Sequence, residues 1–375
     1  MSRIRLGMVG GGSGAFIGGV HRMAARLDDR YELVAGAFSS TPEKSKSSGE
    51  ELGVDPKRCY GDFAEMAKRE ARLKDGIEAV AIVTPNHVHY PAAREFLKRG
   101  IHVICDKPLT STLADAKKLA AAAEKSDALF VLTHNYTGYP MVRQARAMVA
   151  GGALGAIRVV QVEYPQDWLT TAMENEGLKQ AEWRTDPERS GAGGCVGDIG
   201  THAYNLAGFV TGLRAESLAA DLHTFVEGRR LDDNVHVMLR YEGGARGMLW
   251  SSQVAPGNEN ALRLRVYGEA GGLEWAQEDP NDLWFTPHGE PKRLITRGGA
   301  GSTEEAGIRI PPGHPEGYLE GFANIYAQAA DLIEAAREGR RPDHLLPTVQ
   351  DGLDGVRFID ACVRSSKRDA AWVGL

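Results

Sequence analysis

The chain has 375 residues, of which 42% are hydrophobic and 25% charged, a composition typical of globular proteins and a length that suits two domains. A net charge of −6, no run of 18 uncharged apolar residues and no secretory leader together predict a cytoplasmic protein without a nucleic-acid or membrane partner. The cysteines form no C-x-x-C pair, which favours reduced thiols over disulfides or a zinc site; they are Cys59, Cys105, Cys195 and Cys362.

Strand-length apolar runs alternate with helix-period segments in the first third of the chain. The strands are predicted at residues 4–9, 32–38, 78–83, 101–105 and 129–133. The helices are predicted at about 15–28, after 42, at about 91–99 and from about 113. This alternation is typical of a parallel sheet with crossover helices. Residues 1–135 are therefore predicted to form a Rossmann-type, doubly wound domain.

The pattern changes after about residue 135, where strand-like and glycine-rich stretches dominate. The strands are predicted at 157–164, 219–226, 234–241, 247–253 and 262–267. Helices at 321–338 and 349–365 are expected to pack on this sheet or to return to the first domain, and 296–315 is expected to be a long loop. The predicted class is α/β, with a Rossmann domain followed by an α+β domain, residues 136–375, whose large open sheet is mostly antiparallel.

A glycine-rich turn follows the first predicted strand and matches G-x-G-x-x-A through Gly10, Gly12 and Ala15. Such glycines allow a tight turn and close approach of a pyrophosphate to the helix N-terminus, so the turn predicts a dinucleotide site. The alternative is a merely flexible turn. The residues predicted to contact the cofactor here are Gly10, Gly12, Ser13, Gly14, Ala15, Phe16 and Ile17.

The end of the second predicted strand bears on the choice between NAD and NADP. No carboxylate stands at its tip, where an acid would bind the ribose of NAD and repel a 2′-phosphate. The hydroxyls of Ser39 and Ser40 and the amine of Lys44 suit such a phosphate, although Glu43 opposes it. The sequence predicts NAD(P) and favours NADP.

Polar motifs follow the predicted strands 78–83 and 101–105, at the edge of the sheet where ligands bind. The residues expected to face the cofactor are Thr84, Pro85, Asn86, His87, Asp106 and Lys107. Lys107 precedes a proline and can hydrogen-bond a substrate oxygen or move a proton. The alternative for Lys107 is a solvated surface lysine.

A second set of chemically useful side chains lies near the middle of the chain. Asp198 and His202 are four residues apart after a glycine-rich stretch, so a helix would place them on one face as a carboxylate and a base. The alternatives are a helix N-cap for Asp198 and a core histidine for His202. A metal site at His87 and His89, or at Asp198 and His202, is disfavoured because no third and fourth ligands follow at suitable spacing.

Together, the glycine turn, T-P-N-H-V-H, C-D-K-P and G-D-I-G-T-H resemble the glucose–fructose oxidoreductase, inositol dehydrogenase and MocA (Gfo/Idh/MocA) family over residues 4–318. The resemblance implies an enzyme that oxidises or reduces sugar and cyclitol hydroxyls with NAD(P). It makes Lys107 the lysine of the family's E-K-P motif, with Asp106 replacing the glutamate, and makes Asp198 and His202 its D-x-x-x-H pair.

The same resemblance implies substrate contacts in the second domain, beside Lys107, Asp198 and His202. The stretches that usually line the family's pocket contain Tyr136, Trp168, Arg184 and His314. For each of these four, a place in the core or a surface pair is the alternative. No metal is expected.

The resulting hypothesis is hydride transfer between NAD(P) and a secondary hydroxyl of a sugar, glycoside or cyclitol. His202 would be the general base, Lys107 would hydrogen-bond the reacting oxygen and Asp198 would orient His202. One alternative is a glycoside-modifying epimerase, hydrolase or lyase that keeps NAD(P) bound for transient oxidation; another is an NAD(P)-sensing regulator without turnover. The open sheet predicts a homodimer or homotetramer.

Overall fold

The computed structural model describes residues 3–303 and 307–375. The chain divides into two compact units. The first unit runs to Asn135 and also includes Leu319–Leu353, whereas the second consists of Tyr136–Tyr318 and Asp354–Leu375.

The first unit alternates strands and helices along the chain. Its leading elements are β1 (Ile4–Gly10), α1 (Phe16–Leu27), β2 (Tyr31–Ala37), α2 (Pro42–Glu51), α3 (Phe63–Glu70), β3 (Ala79–Val83), α4 (Asn86–Leu97), β4 (His102–Cys105), α5 (Leu113–Glu124) and β5 (Phe130–Leu132). All strands pair in parallel in the order β2-β1-β3-β4-β5, which confirms the predicted doubly wound sheet. Because the chain order reverses between β1 and β3, a ligand crevice opens at their carboxyl ends.

Helix α4 begins five residues before the predicted start at 91, so that part of the prediction was wrong. Proline is most common in the first turn of a helix, which made Pro91 look like the beginning. In the structure Pro85 precedes the helix in an extended conformation, and Pro91 lies inside it. As a result, Asn86 and His87 lie in the first helical turn and not in a loop.

The second unit is built from one long sheet and several helices. Its elements before residue 300 are α6 (Pro140–Ala150), β6 (Ile157–Pro165), α7 (Lys179–Arg184), α8 (Pro187–Ser190), a π-helical turn (Val196–Gly200), α9 (Thr201–Thr211), β7 (Ala215–His223), β8 (Asn234–Tyr241), β9 (Arg246–Ser252), β10 (Arg263–Gly268), β11 (Gly271–Ala276), β12 (Asp282–Pro287) and β13 (Arg293–Thr296). The last elements are α10 (Tyr318–Arg337), α11 (Val349–Ser366) and β14 (Val373–Gly374). Most of α10 and the first turn of α11 belong to the first unit.

The sheet of the second unit has nine strands in the order β13-β12-β11-β10-β6-β9-β8-β7-β14. Only β6 and β9 pair in parallel in the described ranges, so the predicted mostly antiparallel sheet is confirmed. Strand β7 begins four residues before the predicted 219, and β11 to β14 were not predicted. Strand β11 opens with two glycines, a residue type that weakens strand propensity, and β14 has two residues.

Burial alternates along the strands, as expected for a sheet with one covered face. The covered face and helices α6 and α9 share an apolar core that includes Val237, Leu249 and Leu206. The opposite face, here called the outer sheet face, carries cross-strand neighbours that are partly exposed, with Met238 at 54% and Met248 at 43%.

None of the helices in the described ranges combines the length and the apolar character that a membrane crossing requires. The four cysteines are free thiols, as the absence of paired spacing predicted. Three of them are buried, and burial raises the pKa of Cys105, Cys195 and Cys362.

Candidate active site

The glycine turn of the first unit has the close backbone packing that its sequence predicts. Gly10 has a φ of 81°, a conformation that favours glycine. A Cβ on Gly12 would lie 2.8 Å from the Phe38 carbonyl oxygen and 2.7 Å from Ser48 Oγ, so no side chain fits there. Ala15 immediately precedes α1, whose first-turn amides have no acceptor inside the helix. These features suit the backbone-to-anion contacts that a dinucleotide pyrophosphate makes.

Other predicted residues of the turn have different surroundings. The amide of Ser13 donates to Ser48 Oγ at 3.1 Å, and its hydroxyl donates to the Glu51 carboxylate. Gly14 has a φ of 78° with open space where a Cβ would stand, and Phe16 at the start of α1 is exposed. The side chain of Ser13 is therefore bonded to α2, and the contact it can offer a cofactor is limited.

The residues predicted to bind the ribose end lie between the end of β2 and the first turn of α2. Ser39 Oγ accepts a hydrogen bond from the Thr41 amide at 3.2 Å, whereas Ser40 and Lys44 are exposed. Glu43 stands in the first turn of α2. The Ser39 hydroxyl thus already has a partner in its own turn, whereas Ser40 and Lys44 lie at the surface of the unit.

Strands β3 and β4 are neighbours, so the segments that follow them meet at one edge of the sheet. Thr84 Oγ1 is buried and has no hydrogen-bond partner among the described residues. The Asp106 carboxylate accepts from the Lys107 amide at 2.9 Å and from Thr133 Oγ1 at 3.0 Å. The Lys107–Pro108 peptide is cis.

The first unit therefore has features that fit a bound dinucleotide. The backbone at Gly12 leaves no room for a side chain, and Thr84 keeps an unused hydroxyl at the edge where ligands bind. Asp106 uses its carboxylate to hold the segment that carries Lys107, and both residues are partly buried. His87 on the first turn of α4 is exposed.

Asp198 is held by two side chains of the second unit. It lies on the π-helical turn. Such turns are rare in proteins, and those that occur are often found at functional sites. Its Oδ2 lies 3.2 Å from Nε of Arg184 and accepts a hydrogen bond from Nε2 of Gln253 at 2.9 Å. These contacts stabilise the ionised carboxylate and orient it.

His202 lies in the first turn of α9, where it is 8% exposed. Its ring packs against two tyrosine rings in T-shaped arrangements, with centroid distances of 5.0 Å to Tyr136 and 6.3 Å to Tyr164. Burial raises the pKa of both tyrosines, and the negative charge of Asp198 acts in the same direction. Tyr136 and Tyr164 therefore stay protonated near neutral pH.

A hydrogen-bonded set of side chains connects these aromatic residues. The hydroxyls of Tyr136 and Tyr164 are 2.5 Å apart, and Tyr164 donates to Asn260 Oδ1 at 2.7 Å. Gln166 Nε2 donates to the same oxygen at 2.7 Å, while Trp168 Nε1 donates to Gln166 Oε1 at 3.1 Å. Because an amide oxygen only accepts, the Tyr164 proton points to Asn260, and the proton shared by the tyrosines must come from Tyr136.

Of the predicted substrate residues in the second unit, the structure brings five together. Arg184 joins them through Asp198 and through its guanidinium carbon, 6.0 Å from the Trp168 ring centroid. His314 lies in an exposed loop, where its Nδ1 is 3.3 Å from the Pro311 oxygen and its carbonyl accepts from Arg297. The five residues connected by these contacts and by the hydrogen-bonded set are Tyr136, Trp168, Arg184, Asp198 and His202.

Four residues of this cluster were not predicted from sequence. Tyr164 and Gln253 end predicted strands, and polar or aromatic residues at strand ends are a usable signal. Gln166 and Asn260 lie in loops, where no periodic pattern marks them. Only the tertiary contacts identify these two residues.

Comparisons with known proteins cover both units. Residues 4–134 match the model of an oxidoreductase family with an NAD-binding Rossmann fold, and residues 142–274 match the GFO/IDH/MocA C-terminal domain. An uncharacterised oxidoreductase of Bacillus subtilis, YfiI, is 37% identical over 381 residues, which cover 99% of this chain and 96% of YfiI.

Solved structures show the same similarity. An oxidoreductase from Sinorhizobium meliloti is 65% identical with a TM-score of 0.92, and the match covers 100% of both chains. An inositol dehydrogenase homologue from Azotobacter vinelandii, complexed with NAD+, is 37% identical with a TM-score of 0.95, covering 100% of this chain and 98% of the other. A complex of such a homologue with NADH and myo-inositol gives 36% identity and a TM-score of 0.92. This chain therefore belongs to the Gfo/Idh/MocA family of NAD-binding oxidoreductases.

Proposed function

We propose that this oxidoreductase transfers a hydride between NAD(P) and a secondary hydroxyl of a sugar, glycoside or cyclitol. The observation that carries the proposal is the cluster in which the imidazole of His202 meets aromatic rings while Asp198 is held by Arg184. The complex of the Azotobacter homologue with NADH and myo-inositol supports the same substrate class. Aromatic faces and paired polar groups suit a ligand that has C–H faces and several hydroxyls.

Each proposed catalytic residue has a separate task. The nicotinamide, when bound, supplies the hydride chemistry. His202 takes the hydroxyl proton on a ring nitrogen as the alcohol is oxidised, and Lys107 donates a hydrogen bond from Nζ to the reacting oxygen. Asp198 orients the base or a neighbouring hydroxyl, and Tyr136 and Trp168 pack against the sugar ring.

The proposal is tested with a panel of aldoses, glycosides and inositols, each assayed with NAD+ and NADP+. We expect at least one polyol to give steady growth of absorbance at about 340 nm, the band of the reduced nicotinamide. His202→Ala should lower kcat by about 10²- to 10⁴-fold, the usual contribution of a general base. His288→Ala, at an exposed position after β12, is the matched control and should keep wild-type turnover.

Two results would contradict this assignment. Product formed without net reduced cofactor would favour transient oxidation by an epimerase, hydrolase or lyase. Binding of NAD(P) without turnover of any polyol would favour the alternative of an NAD(P)-sensing regulator.

We also propose that the protein prefers NADP to NAD. The absence of a carboxylate at the end of β2, with Ser40 and Lys44 exposed beside it, supports NADP over NAD. The ratio of kcat/KM for the two cofactors measures this choice. Lys44→Glu should shift the ratio toward NAD, since a second carboxylate beside Glu43 repels a 2′-phosphate.

We also propose self-association through the outer sheet face, as a homodimer or homotetramer. Its cross-strand neighbours Met238 and Met248, and Trp284 and Leu294, are all partly exposed. Apolar side chains across several strands of one face are typical of protein interfaces, and a second copy of the same face is complementary to it in an isologous dimer.

A further inference from the structure

His89 of α4 makes two hydrogen-bond contacts that the proposed mechanism does not use. Its side chain is completely buried, with 0% exposure. Nδ1 lies 2.9 Å from the Pro108 carbonyl oxygen, and Nε2 lies 2.9 Å from the Thr84 carbonyl oxygen. One imidazole ring therefore bridges two backbone segments that are 24 positions apart in the chain.

The two carbonyls belong to the segments that carry the predicted cofactor and catalytic residues. Thr84 follows β3 directly, and Pro108 follows Lys107. Strands β3 and β4 are parallel neighbours with Ile82 opposite Cys105, so both segments leave the same edge of the sheet. The Asp106 amide, directly after β4, donates to the Ile82 carbonyl at 2.9 Å, and the His89 ring supplies a further connection beyond it.

We propose that His89 is a positioning residue that holds the Lys107–Pro108 turn against the Thr84 segment, and so sets the place of the Lys107 amine. The part of this inference that concerns Lys107 rests on the proposed function, whereas the bridge itself does not. Asp106 contributes from the other side of Lys107, because its carboxylate accepts the Lys107 amide. His89 and Asp106 thus hold the residues on both sides of the turn.

The chemistry of the contacts explains why histidine suits this place. Both acceptors are carbonyl oxygens, so a hydrogen bond to each requires a proton on each ring nitrogen, whereas a neutral ring donates to one carbonyl and only contacts the other. Burial lowers the pKa of His89, while the charge of Asp106 and the backbone carbonyls of Pro108 and Thr84 act in the opposite direction and favour the doubly protonated ring that bonds both segments. Leucine fills a similar volume but forms neither bond. Glutamine has one amide group, whose N–H groups can donate to one of the two carbonyls.

The first experiment compares backbone hydrogen exchange of His89→Leu with the wild type. We expect exchange to accelerate at least tenfold in residues 84–88 and 105–110, with little change in α3. His102→Leu is the matched control, because the His102 ring also bonds to the backbone, here by accepting from the Leu129 amide, but lies at the opposite end of β4. Unchanged exchange in both segments, or equal acceleration throughout the unit, would overturn the proposal.

The second experiment separates positioning from general stability. With a substrate from the panel, His89→Leu should lower kcat at least tenfold and by more than it raises the dissociation constant for NADH, measured by fluorescence, because the glycine turn still binds the cofactor. His89→Gln should recover part of the lost kcat because it keeps one bond, and His102→Leu should keep wild-type kcat. If His89→Gln lowers kcat as much as His89→Leu, or if neither variant changes kcat, the two hydrogen bonds of His89 do not position Lys107.

If the wild type turns over no polyol, the proposed function fails, and the exchange experiment still decides the role of His89.

Discussion

Carboxylates near the start of helix α9 have their own hydrogen-bond donors. Asp232 Oδ1 accepts from the Gly194 amide at 2.6 Å and Oδ2 from the Val196 amide at 2.8 Å, at the start of the π-helical turn that carries Asp198. Asp198 itself is held by Gln253 and Arg184. A buried carboxylate without hydrogen-bond donors would lower the free energy of unfolding. These hydrogen bonds therefore stabilise the second unit and also fix the position of Asp198.

Asp232 predicts a measurable dependence of stability on pH. Burial raises its pKa from the ordinary 3.8 to about 6, with the charge of Asp233 adding to the rise. Between these values the folded state keeps a proton that the unfolded state has lost. The stability that Asp232 contributes is therefore present at about pH 4 and is lost as the pH rises through about 6.

The test is urea unfolding of Asp232→Asn and the wild type at several pH values, with the difference between the two compared. The free energy of unfolding of the wild type should fall relative to the variant by about 2–3 kcal/mol between about pH 4 and about pH 7. All six tryptophans lie in the second unit, so their fluorescence reports that unit. A difference that is constant with pH would contradict the raised pKa.

Lys107→Met tests the proposed hydrogen bond to the reacting oxygen. Removing a charged donor at that position should lower kcat by about 10²- to 10⁴-fold. The dissociation constant for NADH should change less than threefold, because the proposed cofactor contacts of the glycine turn and of Thr84 do not involve the Lys107 amine. Lys98→Met, which removes a lysine just after α4 that pairs with Glu95, is the control. Near-normal turnover would exclude Lys107 from the mechanism.

At the scale of elements, α1 offers a matched pair of glycines. A Cβ on Gly18 would lie 2.3 Å from Gly11 Cα and 2.7 Å from its carbonyl oxygen, and neither backbone atom can move without the turn. A Cβ on Gly19 would meet only Arg22 Nη2, at 4.0 Å. The missing side chain of Gly18 therefore lets α1 lie directly against the glycine turn. At Gly19 the structure has room for a side chain.

Gly18→Ala should weaken NADH binding at least tenfold, since the turn must shift. Gly19→Ala should leave binding unchanged and stabilise the first unit by up to about 1 kcal/mol, because alanine loses less backbone entropy in a helix. Fluorescence titration with NADH and urea unfolding measure the two effects. Equal affinities for both variants would show that the helix and the turn adjust independently.

Elements differed in how well the sequence predicted them. Strand β3 was predicted correctly because five consecutive buried apolar residues, Ala79–Val83, are typical of a central parallel strand. Helix α3 was missed although Asp62 caps it, accepting from the amides of Ala64 and Glu65, with a glutamate three residues after the cap. Half of its residues are charged, so its sequence shows no clear apolar period. The cap at Asp62 with Glu65 three residues later would have located its start.

At the scale of the whole molecule, the outer sheet face predicts assembly. Met238 and Met248 are direct cross-strand neighbours near the middle of the nine-stranded sheet. Met248→Glu should shift the sedimentation of the protein to that of a monomer, because a buried unpaired carboxylate is unfavourable in an interface. Met23→Glu, at an exposed position of α1, should leave it unchanged. Equal sedimentation of wild type and Met248→Glu would contradict the proposed interface.

Sequence alone determined the two kinds of sheet, the glycine turn after β1 and the family of the chain. These properties depend on short-range features, such as the period of apolar residues and the glycines of a turn, that any segment displays by itself. Only the tertiary structure decided that Gln253 and Arg184 hold Asp198, that Asn260 orders the tyrosine hydroxyls and that His89 bridges two segments. Such contacts join residues far apart in the chain, and no local periodicity encodes which of them meet.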